Sequence, residues 1–264
     1  MQKKDLKWLS RSELLIGTEG IETLQNAHVL VVGLGGVGSF AAEFIARSGV
    51  GKMTIVDGDV VDPTNRNRQL PALATNHGVA KVKIMAERLL AINPDLELIA
   101  HETFLSPEAA KEILEGTKYD YVMDCIDSVT PKLTLLKTAF DLNLKIVSSM
   151  GAGGKLDPTK IRTADLFDTR ECYLASLVRK RIRKLGVKKG IKAVFSLEKV
   201  KDESLILTDG SNFKKSAYGT ISYLPAAFGG ACASIVIRDL LNEPIPMEKR
   251  PKAFLKMEKR NPNK

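Results

Sequence analysis

The residues most able to do chemistry begin with Gly33-Leu34-Gly35-Gly36-Val37-Gly38, which follows an apolar run and opens a helical pattern. Glycines there let the backbone approach a phosphate, and a helix N-terminus supplies free N–H groups and positive potential. Asp57 stands 24 residues after Gly33, at the end of the next apolar run. A carboxylate in that place can accept from a ribose hydroxyl. Alone, this pattern would suit a nicotinamide or flavin dehydrogenase, or a turn that only packs helix on strand. The following segment, Asp57 to Gln69 (DGDVVDPTNRNRQ), argues against hydride transfer. Asn65, Arg68 and Lys81 are amide and cationic groups that could converge on the oxygens of a triphosphate, where a dehydrogenase needs an apolar slot. Asp124 and Asp127, in MDCIDS, end another apolar run. A carboxylate there could hold Mg²⁺, which takes one or two carboxylates plus phosphate oxygens.

The elements that must position these groups alternate. Apolar runs over 27–32, 52–56, 96–100, 119–125 and 144–148 predict strands, with helical spacing over 36–48, 78–92, from 106, and 130–141. That order predicts a doubly wound, Rossmann-like α/β fold with a mainly parallel sheet and helices on both faces. Beyond residue 154 the pattern changes to short strands, a basic helix over 172–184 and a long apolar helix over 222–241, a C-terminal α+β extension. The expected organisation is a leader and helix over 1–26, a nucleotide-binding domain over 27–154, an extension of the same globule over 155–247 and a basic tail over 248–264.

With 264 residues, 44% hydrophobic and 27% charged, the chain is long and apolar enough for a full core, so a disordered or fibrous protein is excluded. The nearest approach to a membrane span is 221–237, interrupted by Pro225 and short of about 20 residues. The first ten residues lack an apolar secretory core. Three cysteines, Cys125, Cys172 and Cys232, with no CxxC pair, argue against a disulfide framework or four-cysteine zinc site and suit a reducing cytoplasm. The net charge of +9 favours a polyanionic partner. From Arg179 to Lys192 the chain carries Arg179, Lys180, Arg181, Arg183, Lys184, Lys188, Lys189 and Lys192 and no acid, a pattern suited to an RNA backbone.

GLGGVGS, the Asp57–Asp59 segment, NRNRQ, Lys81 and DCIDS together resemble the ubiquitin-activating-enzyme-like superfamily, whose members adenylate carboxylates. The resemblance covers about residues 10–150. It implies that Gly33, Gly35, Gly36 and Gly38 line the phosphates of ATP and that Asp57 holds the ribose. It further implies that Asn65, Arg68 and Lys81 contact phosphates and that Asp127 holds Mg²⁺. Arg11 matches the arginine that a dimer partner inserts over the nucleotide, so a homodimer is expected. The branch is set by the second half. SSMGAGGKLDPTKI, LVRKRIRK and AVFSLE resemble the tRNA-modifying dehydratase branch, which adenylates the carboxylate of N6-threonylcarbamoyladenosine in tRNA and cyclises it with loss of water. A rival reading is an activating enzyme for a ubiquitin-like or sulfur-carrier protein. That reading needs a reactive thiol, and Cys172, beside Arg170, Arg179 and Lys180, is the one cysteine expected to be exposed. A sulfur-relay partner is left open, and no membrane span is expected.

Overall fold

The computed structural model describes residues 6–207 and 216–251. The helix expected at the start is α1 (Ser10–Asn26), broken at Gly17, where φ is 73°. It leads into strands β1 (His28–Val32), β2 (Lys52–Val56), β3 (Glu97–His101), β4 (Tyr121–Asp124) and β5 (Ile146–Ser149). Helices α2 (Gly38–Arg47), α3 (Lys81–Ile92), α4 (Pro107–Glu115) and α5 (Val129–Asp141) alternate with them. The extension adds β6 (Ile161–Asp165), α6 (Tyr173–Lys184), β7 (Lys192–Ser196), a hairpin of β8 (Leu205–Leu207) and β9 (Ser216–Tyr218), and α7 (Tyr223–Leu240).

The main sheet has seven strands in the order β3-β2-β1-β4-β5-β7-β6. Every pairing in it is parallel except β6 with β7. β1 is buried along its whole length, so both faces of the sheet must be covered by helices. One face packs against α2, α3 and α7, the other against α4, α5 and α6. The chain winds outward from β1 to β3 and then returns to lay β4 on the other side of β1. That reversal opens a crevice at the C-terminal ends of β1 and β4, where ligands bind in open α/β sheets.

The extension is part of this sheet. β7 inserts beside β5, and β6 closes the far edge. Residue 248, where a tail was expected to begin, is anchored: the Glu248 amide donates to the Thr163 carbonyl at 2.7 Å, and its carboxylate pairs with Arg170 at 2.6 Å. This contact covers part of an edge strand that would otherwise offer unpaired backbone groups. The rest of the expected tail, 252–264, lies outside the described residues, as do residues 1–5.

At the centre of the C-terminal edge lies a fully buried ion pair. Lys132 Nζ is 2.5 Å from Asp124 Oδ2, and both side chains have no exposed surface. The ammonium also donates to Ser148 Oγ at 3.2 Å and to the Ser149 carbonyl at 3.0 Å. Ser148 Oγ donates to Asp124 Oδ2 at 2.5 Å, and Asp124 Oδ1 accepts the Ile126 amide at 3.1 Å. One node therefore joins the ends of β4 and β5, the first turns of α5 and the turn that carries Asp127. Removing one member of a buried pair strands the other charge. Lys132→Met should accordingly lower unfolding stability by about 3–5 kcal/mol, read as an earlier urea midpoint at an unchanged m-value. A midpoint equal to that of the parent protein would show that the node carries no such burden.

Candidate active site at the C-terminal edge of the sheet

The glycine loop leaves β1 and turns into α2. Gly33 has φ of +88°, and a side chain on it would press on the Cys125 carbonyl at 3.0 Å. A side chain at Gly38 would sit 1.7 Å from the Gly33 carbonyl oxygen, so this turn closes only with glycine there. Gly35 faces comparatively open space, with Gln69 Nε2 as its nearest neighbour at 3.8 Å. The Ser39 and Ala41 amides of the first turn of α2 donate to the Gly35 and Val37 carbonyls at 3.1 and 3.0 Å, so this end of the helix offers an anion its positive potential.

Asp57 shapes this loop from the end of β2. Its Oδ2 accepts the Leu34 amide at 2.5 Å and its Oδ1 accepts the Asp59 amide at 2.8 Å. Burial pushes its carboxyl above the ordinary value, against the pull of Lys81 and the two amides. A carboxylate has about four acceptor positions, so these two bonds leave room for a ribose hydroxyl. Lys81, at the head of α3, is buried with its ammonium 3.0 Å from Asp59 Oδ2. The loop, Asp57 and Lys81 thus stand together, as the resemblance implies.

The 62–69 segment supplies the next wall. Asp62 caps a short 3-10 turn, Pro63–Asn65, and buried Asn65 returns the bond by accepting the Asp62 amide at 3.1 Å. Asn65 therefore shapes the turn that carries Arg68. Arg68 is half-buried, its carbonyl lies 3.2 Å from where a Gly36 side chain would begin, and its Nη1 donates to the Thr64 carbonyl at 2.8 Å. On the other side of the loop, the turn after β4 exposes Asp127. Asp124 is buried against Lys132, so of the two carboxylates considered for Mg²⁺ Asp127 is the one at the surface. Among the described residues no group of three or more His, Cys, Asp or Glu side chains gathers for a metal. An ion here would rest on Asp127 and on phosphate oxygens, which suits Mg²⁺.

Three expectations are corrected. Cys172 is buried, and its Sγ lies 3.7 Å from where a Gly151 side chain would begin, so it is not an exposed thiol. Arg179 is internal: it is 5% exposed and its Nη1 donates to the Thr169 carbonyl at 2.9 Å. Lys192, at the start of β7, is ion-paired with Asp239. Both were expected on the basic face, and neither has a free charge to offer it. The other six residues of that run, Lys180, Arg181, Arg183, Lys184, Lys188 and Lys189, are exposed. Arg183 lies over the Phe167 ring at 5.3 Å.

Two groups do not join the edge within one chain. α6 runs back toward the start of β7, so its C-terminal cations and the 185–191 loop lie at the end of the sheet opposite the glycine loop. Arg11 is exposed two residues after Leu9, whose side chain packs on Gly49 beyond the end of α2, also at that opposite end. Leu14 and Leu15 beside it are 83% and 85% exposed.

Lys132 and Asn67 had no role in the sequence reading. Lys132 had a legible signal, since it falls on the stripe Lys132, Leu135, Leu136 and Ala139 that α5 buries. Asn67 had none, because its partner Thr220 is 153 residues away.

A sequence model of the ThiF family matches residues 9–263. The tRNA threonylcarbamoyladenosine dehydratase of Bacillus subtilis (strain 168) is 40% identical over 250 residues, which cover 90% of this chain and 96% of that protein. The protein of the same name from Escherichia coli (strain K12) is 41% identical over 191 residues, covering 70% of this chain and 71% of the other. The crystal structure of E. coli tRNA N6-threonylcarbamoyladenosine dehydratase in complex with ATP matches with a TM-score of 0.81 at 34% identity, over 89% of this chain and 94% of that one. By the span of the family match and by these whole-length relatives, the chain belongs to the ThiF family.

Proposed function

We propose that this protein is an ATP-dependent dehydratase of N6-threonylcarbamoyladenosine in tRNA. The observation that carries the reading is the C-terminal edge of the sheet. A phosphate-binding loop, Asp57, Arg68 and Lys81 gather there, while Cys172 and Cys232 are buried and Cys125 is half-buried behind the loop. Burial raises the Cys125 thiol well above its ordinary value and pushes Cys232 up to about 12. A carboxylate-activating enzyme without a thiol poised to take the acyl group can hand its activated carbonyl to a nucleophile within the substrate.

ATP supplies the adenylyl group that activates the carboxylate as an acyl-adenylate from which AMP can leave, and Mg²⁺ on Asp127 would neutralise phosphate charge. The glycine loop and the positive N-terminal end of α2 hold the phosphates. Asp57 fixes the loop and orients the ribose. Arg68 and Lys81 stabilise the charge that builds as the carboxylate oxygen attacks and pyrophosphate departs. An oxygen or nitrogen of the same modified base then attacks the activated carbonyl, and AMP leaves. The net loss from the nucleoside is one water. Holding both reacting groups in one bound molecule gives a high effective concentration, so a covalent enzyme intermediate adds nothing.

The exposed cations of α6 and the 185–189 loop are proposed to grip the tRNA body. A second copy of the chain, joined over the exposed Leu14 and Leu15 faces, is proposed to bring Arg11 to the neighbouring site. Free thiols suit a reducing cytoplasm. No helix among the described residues is long and apolar enough to cross a membrane.

The direct test is to incubate the protein with ATP, Mg²⁺ and bulk tRNA, digest the RNA and weigh its nucleosides. A modified adenosine lighter by one water is expected; an unchanged profile would refute the reading. In the same assay Lys81→Ala and Asp127→Ala should each lower turnover by at least about tenfold, the cost of losing one charge-stabilising contact. Parental rates in either variant would remove that residue from the site. Cys172→Ala should keep most of the activity. Loss of product with normal ATP binding would instead favour activation of a carrier protein. Reversing Arg181, Arg183, Lys188 and Lys189 to Glu should weaken tRNA binding by about tenfold or more and flatten its salt dependence, since each phosphate contact contributes a log–log slope of roughly −0.7 to −0.9. ATP affinity should not follow, because the charges lie beyond a screening length of about 8 Å. Unchanged tRNA affinity and slope would leave this face a solvated one.

A further inference from the structure

The segment from β9 into α7 crosses the C-terminal edge. A side chain at Gly153, in the turn after β5, would meet Tyr218 Cβ at 2.7 Å. The neighbouring Gly154 amide donates to the Gly219 carbonyl at 2.8 Å. A few residues on, Pro225 lies against Gly36 of the phosphate loop, where a side chain would meet it at 3.0 Å. Between these anchors the Thr220 carbonyl accepts from Asn67 Nδ2 at 2.8 Å. Asn67 Oδ1 in turn accepts from Arg68 Nη1 at 2.9 Å.

The orientation of the Asn67 amide follows from its partners. A guanidinium can only donate and a carbonyl can only accept, so Oδ1 must face Arg68 and Nδ2 must face Thr220. Asparagine is therefore suited to the position: one end holds the cation of the phosphate side, and the other holds the strap that passes from the β5 turn to the glycine loop. A displacement of the strap would therefore shift Asn67 and, through it, Arg68.

We propose that Asn67 is a positioning residue that couples the substrate-side strap at Thr220 to Arg68, so that the nucleotide site is completed by the segment on which the modified base would rest. This rests on Arg68 being a phosphate contact, as argued under the proposed function.

Two variants separate the two bonds. Asn67→Asp keeps an acceptor for Arg68 but turns a carboxylate oxygen onto the Thr220 carbonyl, breaking only the strap link. Asn67→Ala breaks both. Affinity for a non-hydrolysable ATP analogue is measured by calorimetry without tRNA, and kcat and KM are measured with tRNA. Asn67→Asp should hold ATP affinity within about twofold yet lower kcat with tRNA by about tenfold or more, whereas Asn67→Ala should also weaken the analogue by several-fold, as loss of a bond to a charged group requires. Because Asn67 is exposed, thermal unfolding should be unchanged, which excludes a general structural effect. Parental kinetics in both variants, or equal losses of ATP affinity in both with no further effect on turnover, would overturn the coupling. Arg68→Ala serves as the reference. If it leaves analogue affinity intact, the phosphate assignment falls and the coupling with it. If it weakens the analogue while both Asn67 variants match the parent, only the coupling falls.

Discussion

The buried Lys132–Asp124 pair is the constraint on which the reactive edge depends. An ammonium has three protons, and here each has an acceptor: Asp124, Ser148 and the Ser149 carbonyl. Such a charge is tolerated in the interior only when every donor is matched, so the geometry of the node is narrowly set. It fixes where β4 and β5 end. Asp124 then holds the Ile126 amide, and this sets the turn that exposes Asp127 and places the Cys125 carbonyl against Gly33. The phosphate loop is thus backed by a wall whose position is decided by charges that never touch solvent.

On that wall the polar groups are arranged before any ligand arrives. Asp57 spends two bonds on the Leu34 and Asp59 amides, and Asp59 holds the Lys81 ammonium. Donors and cations fixed in advance cost no rearrangement when charge develops, which is the main way such sites lower a barrier. The same economy explains the buried cysteines. A site that leaves both reacting groups to the substrate has no need of a third on the enzyme, and the interior uses its thiols as small apolar fillers.

The order of strands and helices was readable because parallel sheets buried on both faces demand continuous apolar runs, and helices announce themselves by spacing. The glycine loop was readable because its function constrains the backbone. What failed is instructive. Arg179 and Lys192 lie in a run of like charges, yet Arg179 falls on the buried stripe Ala175, Val178, Arg179 and Ile182 of α6, and Lys192 meets Asp239 from a helix 47 residues on. Charge density along the chain does not distinguish a cation that faces water from one that ties two elements together. Cys172 was expected outside because the strand-end Cys125 and the apolar-helix Cys232 read as core, but it precedes α6 at a point where the chain packs against Gly151. The Asn67–Thr220 contact depends wholly on tertiary closure and left no trace in local pattern.

The packing of α7 has a consequence for the birth of the molecule. Leu224, Phe228, Cys232 and Val236 of α7 belong to the same core cluster as α2, β1 and β4. Yet Tyr223 emerges 74 residues after Ser149, which ends β5. At synthesis rates of roughly 5–20 residues per second, the nascent nucleotide-binding half waits about 4–15 seconds with that apolar face uncovered. During this interval the half-made protein is a client for whatever shields hydrophobic surface at the ribosome exit. The phosphate loop also lacks the Pro225 contact that closes over Gly36, so the loop is fully packed only once α7 has been made.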